Sequence, residues 1–191
     1  MIWNEHSEIP EGSHAFLGAS KYSWLNYTEE KLKATYLNHL ATLKGTQQHE
    51  FASTCIKMGQ KLLEVPLTLN MFVNDSIDHH MRSEQLLKYS DLCYGTADAI
   101  GLQEDIMLLR VFDLKTGTHK ASMPQLEIYA GLFCLEYHFN PMELGGFELR
   151  IYQNNDKNIH SPKRERILEV MDKIIMADKI LQEVNIEGGL I

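Results

Sequence analysis

The chain has 191 residues, of which 44% are hydrophobic and 23% charged, an ordinary balance that excludes a disordered chain, a collagen-like chain and a coiled-coil rod. At this length a core can be buried without disulfide or metal staples, and one domain spanning residues 1–191 is expected. Eighteen basic against 26 acidic residues leave a net charge of −8, which argues against a generic nucleic-acid coat, whose affinity comes mainly from phosphate neutralisation. The same balance suits carboxylates gathered around a metal. No stretch approaches the roughly 18 uncharged apolar residues of a membrane span. Met1 to His6 has neither the basic start nor the apolar run of a signal peptide, so a cytoplasmic location is expected.

In chain order, residues 1–20 show no periodicity and contain Pro10, Gly12 and Gly18, which predicts an irregular lead-in. Thr28 before Glu29 and Glu30 reads as a helix N-cap with acids in the first turn, where the helix dipole favours them. Leu32, Tyr36, Leu37 and Leu40 keep helical spacing to about Leu43. Gly45-Thr46 predicts a break, and a second helix should run from about Thr46 to Leu63 until Pro66 ends it. Residues 67–73 are apolar enough for a strand. The runs 84–89, 93–101 and 106–114 are rich in apolar and β-favouring residues, with turns at Asp91 and at Gln103-Glu104-Asp105, the pattern of a three-stranded antiparallel meander. Ser122-Met123-Pro124-Gln125 opens a helix to about His138. Gly145-Gly146 leads into a strand over 147–153, and residues 154–158 read as a polar loop. Ser161-Pro162 is a cap with proline at the first helical position, opening a long helix over about 162–184. The resulting order, α-α-β-β-β-α-β-α, predicts an α+β (mixed α/β) domain with a central sheet flanked by helices.

The three cysteines, Cys55, Cys93 and Cys134, include no Cys-x-x-Cys pair, so a zinc ribbon or a four-cysteine iron–sulfur cluster lacks its ligands. They read as small buried hydrophobes. No Gly-x-x-x-x-Gly-Lys-Ser/Thr phosphate loop is present, which excludes an ATP-driven helicase of that type within these residues.

The chemistry concentrates between Tyr94 and Tyr129. Asp113 and Lys115 are two residues apart at the end of an apolar strand, so their side chains share a face. Asp98 lies on the preceding strand, and a turn near 103–105 returns the chain past it. Two carboxylates and an ammonium then converge. Close acids repel, and one would ordinarily hold a proton. A hard divalent cation such as Mg²⁺ or Mn²⁺ removes that conflict and supports phosphodiester hydrolysis, with Lys115 stabilising developing charge. Taken singly, an Asp-x-Lys at a strand end is a common solvated pair.

Gly95-x-x-Asp98, then Asp113-x-Lys115, then Gln125-x-x-x-Tyr129, preceded by Gly45-Thr46-x-x-His49, resembles the PD-(D/E)xK nucleases. The likeness is to their RecB-like branch, which includes phage-encoded and CRISPR-associated exonucleases, and it covers roughly residues 20–155. The resemblance implies a restriction-endonuclease-like core. It also implies that His49, Asp98, Asp113 and the Leu114 carbonyl ligate Mg²⁺ or Mn²⁺, that Lys115 is the catalytic lysine alongside Asp98 and Asp113, and that Gln125 and Tyr129 line the substrate site. Where many relatives have glutamate, this chain has Asp113. The four cysteines that hold an iron–sulfur cluster in several of those exonucleases have no counterparts here, so no such cluster is expected.

Each residue also has a plainer reading. His49 shares a helical face with Ala52 and Ile56 and could be a hydrogen-bonded core histidine. Gln125 could close a capping box with Ser122, Tyr129 could simply pack, Glu84 could offer one more carboxylate, and His79-His80 should lie on the surface. The function implied by the resemblance is a metal-dependent deoxyribonuclease, an exonuclease before an endonuclease, in phage or bacterial DNA recombination, replication or repair. Its partners would be DNA and a recombination or replication protein. Lys21, Lys44, Lys115 and Lys120 offer phosphate contacts. Two alternatives stay open: a catalytically weak nuclease-fold protein that binds DNA ends or a partner, and a hydrolase of smaller phosphoesters.

Overall fold

The computed structural model describes residues 7–10, 12–117 and 122–187. The chain divides into two compact units, Met1–Lys44 and Gly45–Ile191. In the first, the described part of the lead-in ends in a 3-10 segment, Ala19–Asn26, kinked at Lys21. The Trp24 indole N–H donates to the Gly18 carbonyl at 3.2 Å, and the Phe16 ring meets Tyr36 edge-on with centroids 5.0 Å apart. Thr28 caps the next helix as expected, accepting from the Lys31 N–H at 3.2 Å. The spacing that predicted this helix does not produce a buried stripe, because Tyr36, Leu37 and Leu40 are exposed.

The second unit is a mixed α and β structure around a five-stranded sheet. Its strands are β1 (Arg82–Ser90), β2 (Cys93–Gln103), β3 (Leu108–Leu114), β4 (Gly146–Gln153) and β5 (Asp156–His160). They lie side by side in chain order; β3 and β4 are parallel and the other neighbours antiparallel. The helices are α1 (Glu29–Met58), whose residues from Gly45 onward belong to this unit, α2 (Thr68–Asp78), α3 (Pro124–Glu136) and α4 (Arg164–Glu187). A parallel pair requires a crossover, and α3 lies within the connection from β3 to β4.

Alternation along the strands gives two apolar layers. Leu87, Ile100, Val111 and Leu149 pack with Leu126 and Ala130 of α3 and Ile167 and Val170 of α4. Ala99, Phe112, Leu114 and Tyr152 pack with Ala52, Cys55 and Ile56 of α1 and Phe72 and Val73 of α2. Each fully buried large side chain contributes about 1.5–3 kcal/mol. Cys55 and Cys134 are buried, while Cys93 is only half-buried; burial pushes the Cys134 thiol up to about 12. Among the described residues no helix is long and apolar enough to cross a membrane.

The meander of β1 to β3 stands where the sequence placed it, but several boundaries differ. The break expected at Gly45-Thr46 is absent, and α1 is continuous through it. One glycine costs a helix only about 1 kcal/mol, and Gly45 is buried where a side chain would not fit. The helix stops at Met58 rather than Leu63, because Gly59 adopts φ 64° and the Gln60 N–H closes back on the Cys55 carbonyl at 2.9 Å, a glycine C-cap.

The strand expected over 67–73 is the first part of α2, since Leu69, Phe72, Val73 and Ser76 recur at helical spacing; a short apolar run does not discriminate the two. The polar loop expected over 154–158 is only a two-residue turn, Asn154 (φ 53°) and Asn155 (φ 59°), the left-handed pair that suits a tight hairpin, and it opens β5. The order is therefore α-α-β-β-β-α-β-β-α, with one strand more than expected. Ser161-Pro162 precedes α4 without starting it. Met123, not Ser122, occupies the N-cap position of α3 and makes no side-chain capping bond. Of the tail, residues 188–191 lie outside the described residues.

Beside the sheet, Asp75 of α2 accepts from the Tyr152 hydroxyl at 2.6 Å, Arg150 Nη1 at 2.8 Å and Lys157 Nζ at 3.1 Å. Arg150 also pairs with Glu148 at 2.8 Å and lies 4.6 Å from the Phe112 ring centroid. His79 is not a plain surface residue. Its Nε2 is 3.3 Å from Arg150 Nη2, and burial, with Arg110 and Arg150 beside it, lowers its pKa. His80 is exposed.

Candidate metal centre

The end of β3 organises the site. Phe112 of β3 pairs with Ala99 of β2, so Asp113 and Asp98 come next along the same two neighbouring strands. The Leu114 N–H donates to Asp98 Oδ2 at 2.8 Å, which fixes one carboxylate against the backbone of the other strand. Leu114 thus reaches Asp98 through its N–H, which leaves its carbonyl, the atom that the resemblance implies as a ligand, out of this bond. Asp98 Oδ1 faces His49 Nδ1 across 3.4 Å, bringing α1 to the strand ends. His49 is half-buried and touches a carboxylate; it is not enclosed in the apolar core.

Asp113 is only 2% exposed. Lys115 donates to its Oδ1 at 3.0 Å and to Gln125 Oε1 at 3.0 Å. Gln125 Nε2 in turn donates to the Tyr129 hydroxyl at 3.2 Å. The i, i+4 spacing puts both residues on one face of α3, and Gln125 is occupied in orienting the lysine rather than in a capping box. Tyr129 also packs: a Cβ on Gly95 would lie 3.0 Å from its ring, so the glycine of Gly95-x-x-Asp98 makes room for the tyrosine of Gln125-x-x-x-Tyr129.

Glu84 belongs to the same place. The pairs Ser83–Ala99 and Gln85–Ala97 flank it, which sets it across from Asp98. One ligand atom from each of His49, Glu84 and Asp98 lies within 4.8 Å of the others. Opposite ligands of a small octahedral dication stand about 4.2 Å apart, so this spacing fits a metal after small adjustments. Asp113 Oδ2 is not among these three ligand atoms. It is buried without a hydrogen bond, although Lys115 Nζ lies 2.9 Å away as an ion-pair partner.

The electrostatics agree with a shared cation. The hydrogen bond to Asp98 raises the pKa of His49 against the opposing effect of burial. Burial and the charge of Asp98 raise the carboxyl of Asp113, while Lys115 and His49 pull it down. Burial, then Asp98, raises Glu84. Because all three groups hold their protons more tightly than usual, a bound dication would compete with protons for them.

A cavity of about 460 Å³ adjoins the lysine, lined among others by Gln48, Thr68, Lys115, Thr116 and Asn154. A second, of about 350 Å³, is lined by Leu92, Ile128, Val170, Ile174 and Leu181, with Glu127, Arg166, Lys173 and Asp178 also on its wall, and by none of the site residues. Lys120 lies outside the described residues, and Lys21 and Lys44 belong to the other compact unit. The structure thus gathers His49, Asp98, Asp113, Leu114, Lys115, Gln125 and Tyr129, and it adds Glu84, whose only signal in the sequence was a carboxylate on the strand next to Asp98. Comparison with models of known protein families, with curated proteins and with solved structures gave no significant match.

Proposed function

We propose that the chain is a divalent-metal-dependent phosphodiesterase acting on DNA, a PD-(D/E)xK-type nuclease with a restriction-endonuclease-like core, working as an exonuclease in phage or bacterial DNA recombination, replication or repair. The observation that carries this reading is the position of the Lys115 ammonium. It is held between Asp113 and Gln125, just past the end of the strand that pairs with the strand of Asp98.

His49, Asp98 and Asp113, with the Leu114 carbonyl, would hold Mg²⁺ or Mn²⁺. When bound, such a cation polarises a phosphoryl oxygen and makes a bound water a stronger nucleophile. The chain supplies the rest. Asp113 and Gln125 would fix the Lys115 ammonium so that its charge meets the negative charge developing on the phosphoryl oxygens without reorganisation. Tyr129 holds Gln125 in the orientation that keeps its oxygen toward the lysine. The Leu114 N–H keeps Asp98 from turning away, and the polar cavity beside Lys115 gives a nucleic-acid strand room to lie.

The test is cleavage of supercoiled plasmid, linear duplex and single strands with Mg²⁺, with Mn²⁺ and with EDTA. The expected result is cleavage that EDTA abolishes and either metal restores, with linear substrates preferred. Full activity in EDTA, or cleavage of small phosphodiesters but of no nucleic acid, would overturn the reading.

A further inference from the structure

A third cavity, of about 350 Å³, lies wholly inside the Met1–Lys44 unit. Its size is at the low end of the range of ligand pockets, with room for one mononucleotide and not for a base pair. Phe16, Trp24 and Tyr27 line it and are half-buried, so its floor is aromatic. The polar tips of two of these rings are already engaged. The Trp24 indole N–H donates to the Gly18 carbonyl at 3.2 Å, and the Tyr27 hydroxyl lies 3.3 Å from Ser23 Oγ. What they offer a guest is therefore ring surface, against which a planar aromatic group gains by stacking. Phe16 is held by Tyr36 and His39, with ring centroids 5.0 and 5.2 Å away.

The rim is exposed and carries Lys21, His14 and His39. No carboxylate stands among the described residues that line the cavity, and Lys21 forms no ion pair with a described residue. Aromatic rings also attract cations, but a cationic guest would meet the Lys21 ammonium here with no carboxylate on the lining to offset it. An aromatic guest that bears a negative charge satisfies both the floor and the rim.

We infer that the cavity is a nucleotide site that takes one unpaired nucleotide of a DNA strand, its base against the ring faces of Trp24 and Tyr27 and its phosphate on Lys21. Ring faces beside a cation are the means by which single strands are held without regard to sequence. The choice of a nucleotide among aromatic anions rests on the nuclease reading; the site itself, built from residues outside the acid–histidine centre, does not.

The experiment titrates the full chain in EDTA with thymidine 5′-monophosphate, thymidine, inorganic phosphate, benzoate and choline, reading binding by calorimetry and by tryptophan emission. The monophosphate should bind saturably and at least about tenfold more tightly than thymidine, the scale of one hydrogen bond to a charged group, and the other three should bind more weakly than the monophosphate. Tyr27→Leu keeps an apolar side chain but removes the ring, and should weaken the monophosphate by about fivefold or more, the low end for one base stacked on an aromatic ring. Lys21→Gln changes an exposed position and should melt with the parent. It should bring the monophosphate down to the affinity of thymidine and leave thymidine unchanged, a split that misfolding does not produce. Lys115→Ala should leave the binding unchanged, which separates this cavity from any phosphate contact at the metal centre.

No saturable binding of the monophosphate, equal affinity for monophosphate and thymidine, an unchanged affinity in Lys21→Gln or in Tyr27→Leu, loss of binding in Lys115→Ala, or benzoate or choline binding as tightly as the monophosphate would overturn the inference. A parent that cleaves DNA but binds no monophosphate in EDTA sinks this inference alone. A parent that binds the monophosphate through Lys21 and Tyr27 but cleaves no DNA sinks the nuclease reading and leaves the nucleotide site standing.

Discussion

Gly45 in α1 lies so close to Thr116, just past β3, that a Cβ on the glycine would sit 2.7 Å from Thr116 Oγ1. The helix that carries His49 thus approaches the residue next to Lys115 without a side chain between them. Alanine at 45 would improve helix propensity by about 1 kcal/mol, but it would overpack this contact at about 1–3 kcal/mol. Gly45→Ala should therefore destabilise the parent by about 1 kcal/mol and should stabilise a Thr116→Ala background. Urea melts of the four proteins decide it. Equal effects of Gly45→Ala in both backgrounds would show that Thr116 does not limit the approach.

Asp113 and Lys115 should be separable from the scaffold by their opposite effects on activity and stability. Asp113→Asn and Lys115→Ala are each expected to reduce DNA cleavage by at least about a hundredfold, the scale of losing one preorganised electrostatic group. The metal-free Asp113→Asn protein should be as stable as the parent or more so. Burial and Asp98 raise the Asp113 carboxyl, so its ionisation works against folding at neutral pH, and that cost disappears when the group is neutral. A metal-free Asp113→Asn protein that melts well below the parent would make the pair with Lys115 a structural ion pair instead.

Gln125 touches the reaction through Lys115, and its effect should be on rate more than on binding. Gln125→Ala removes the acceptor at 3.0 Å from the ammonium and leaves Asp113 as the lysine's remaining acceptor in this cluster. The expected outcome is a fall in kcat of about tenfold to a hundredfold, the cost of a misplaced catalytic group, with KM for DNA little changed. Tyr129→Phe, which loses only the hydroxyl that Gln125 reaches at 3.2 Å, should fall less. A larger change in KM than in kcat would assign Gln125 to substrate contact.

The sequence carried the candidate site further than it carried the fold. Asp98, Asp113 and Lys115 were placed by two strands and a turn, and alternation along strands is a local property readable from order alone. His49 was assigned to a helix, and it lies in one, although the break expected four residues before it does not occur. Glycine is a helix breaker by local propensity, whereas Gly45 answers a tertiary contact with Thr116 that lies far off in sequence. Glu84 is offered by the sequence only as one more carboxylate, without its position. Neither its left-handed backbone nor its place across from Asp98 has a local signature, since both depend on strand pairing. The strand read over 67–73 failed for a different reason: a seven-residue run with five apolar residues suits a strand and a buried helix alike. Two helices were expected before the sheet and two are present, but their boundaries differ, so agreement in element order concealed a wrong division of the chain.

Asp75 offers a pH test far simpler than any activity assay. Burial pushes its carboxyl up, but the Tyr152 hydroxyl, Lys157 and Arg150 outweigh burial and hold it below its ordinary value. A depressed carboxylate contributes stability that is fully present above the unfolded value, about pH 3.9, and is lost as the pH falls through the folded value. Asp75→Asn should therefore cost about 2 kcal/mol at pH 7, the scale of hydrogen bonds to a charged group. The difference from the parent should hold nearly constant to about pH 5 and narrow below about pH 4, where the parental carboxylate itself takes up a proton. Tyr152→Phe removes one donor at 2.6 Å but leaves the cations, so it should cost about 1 kcal/mol with a weaker dependence on acid. Denaturant melts of the three proteins from pH 7 to pH 3 read all of this. If the gap between the parent and Asp75→Asn is as wide at pH 3 as at pH 7, the carboxylate's charge contributes nothing, and the network stabilises the sheet only by its shape.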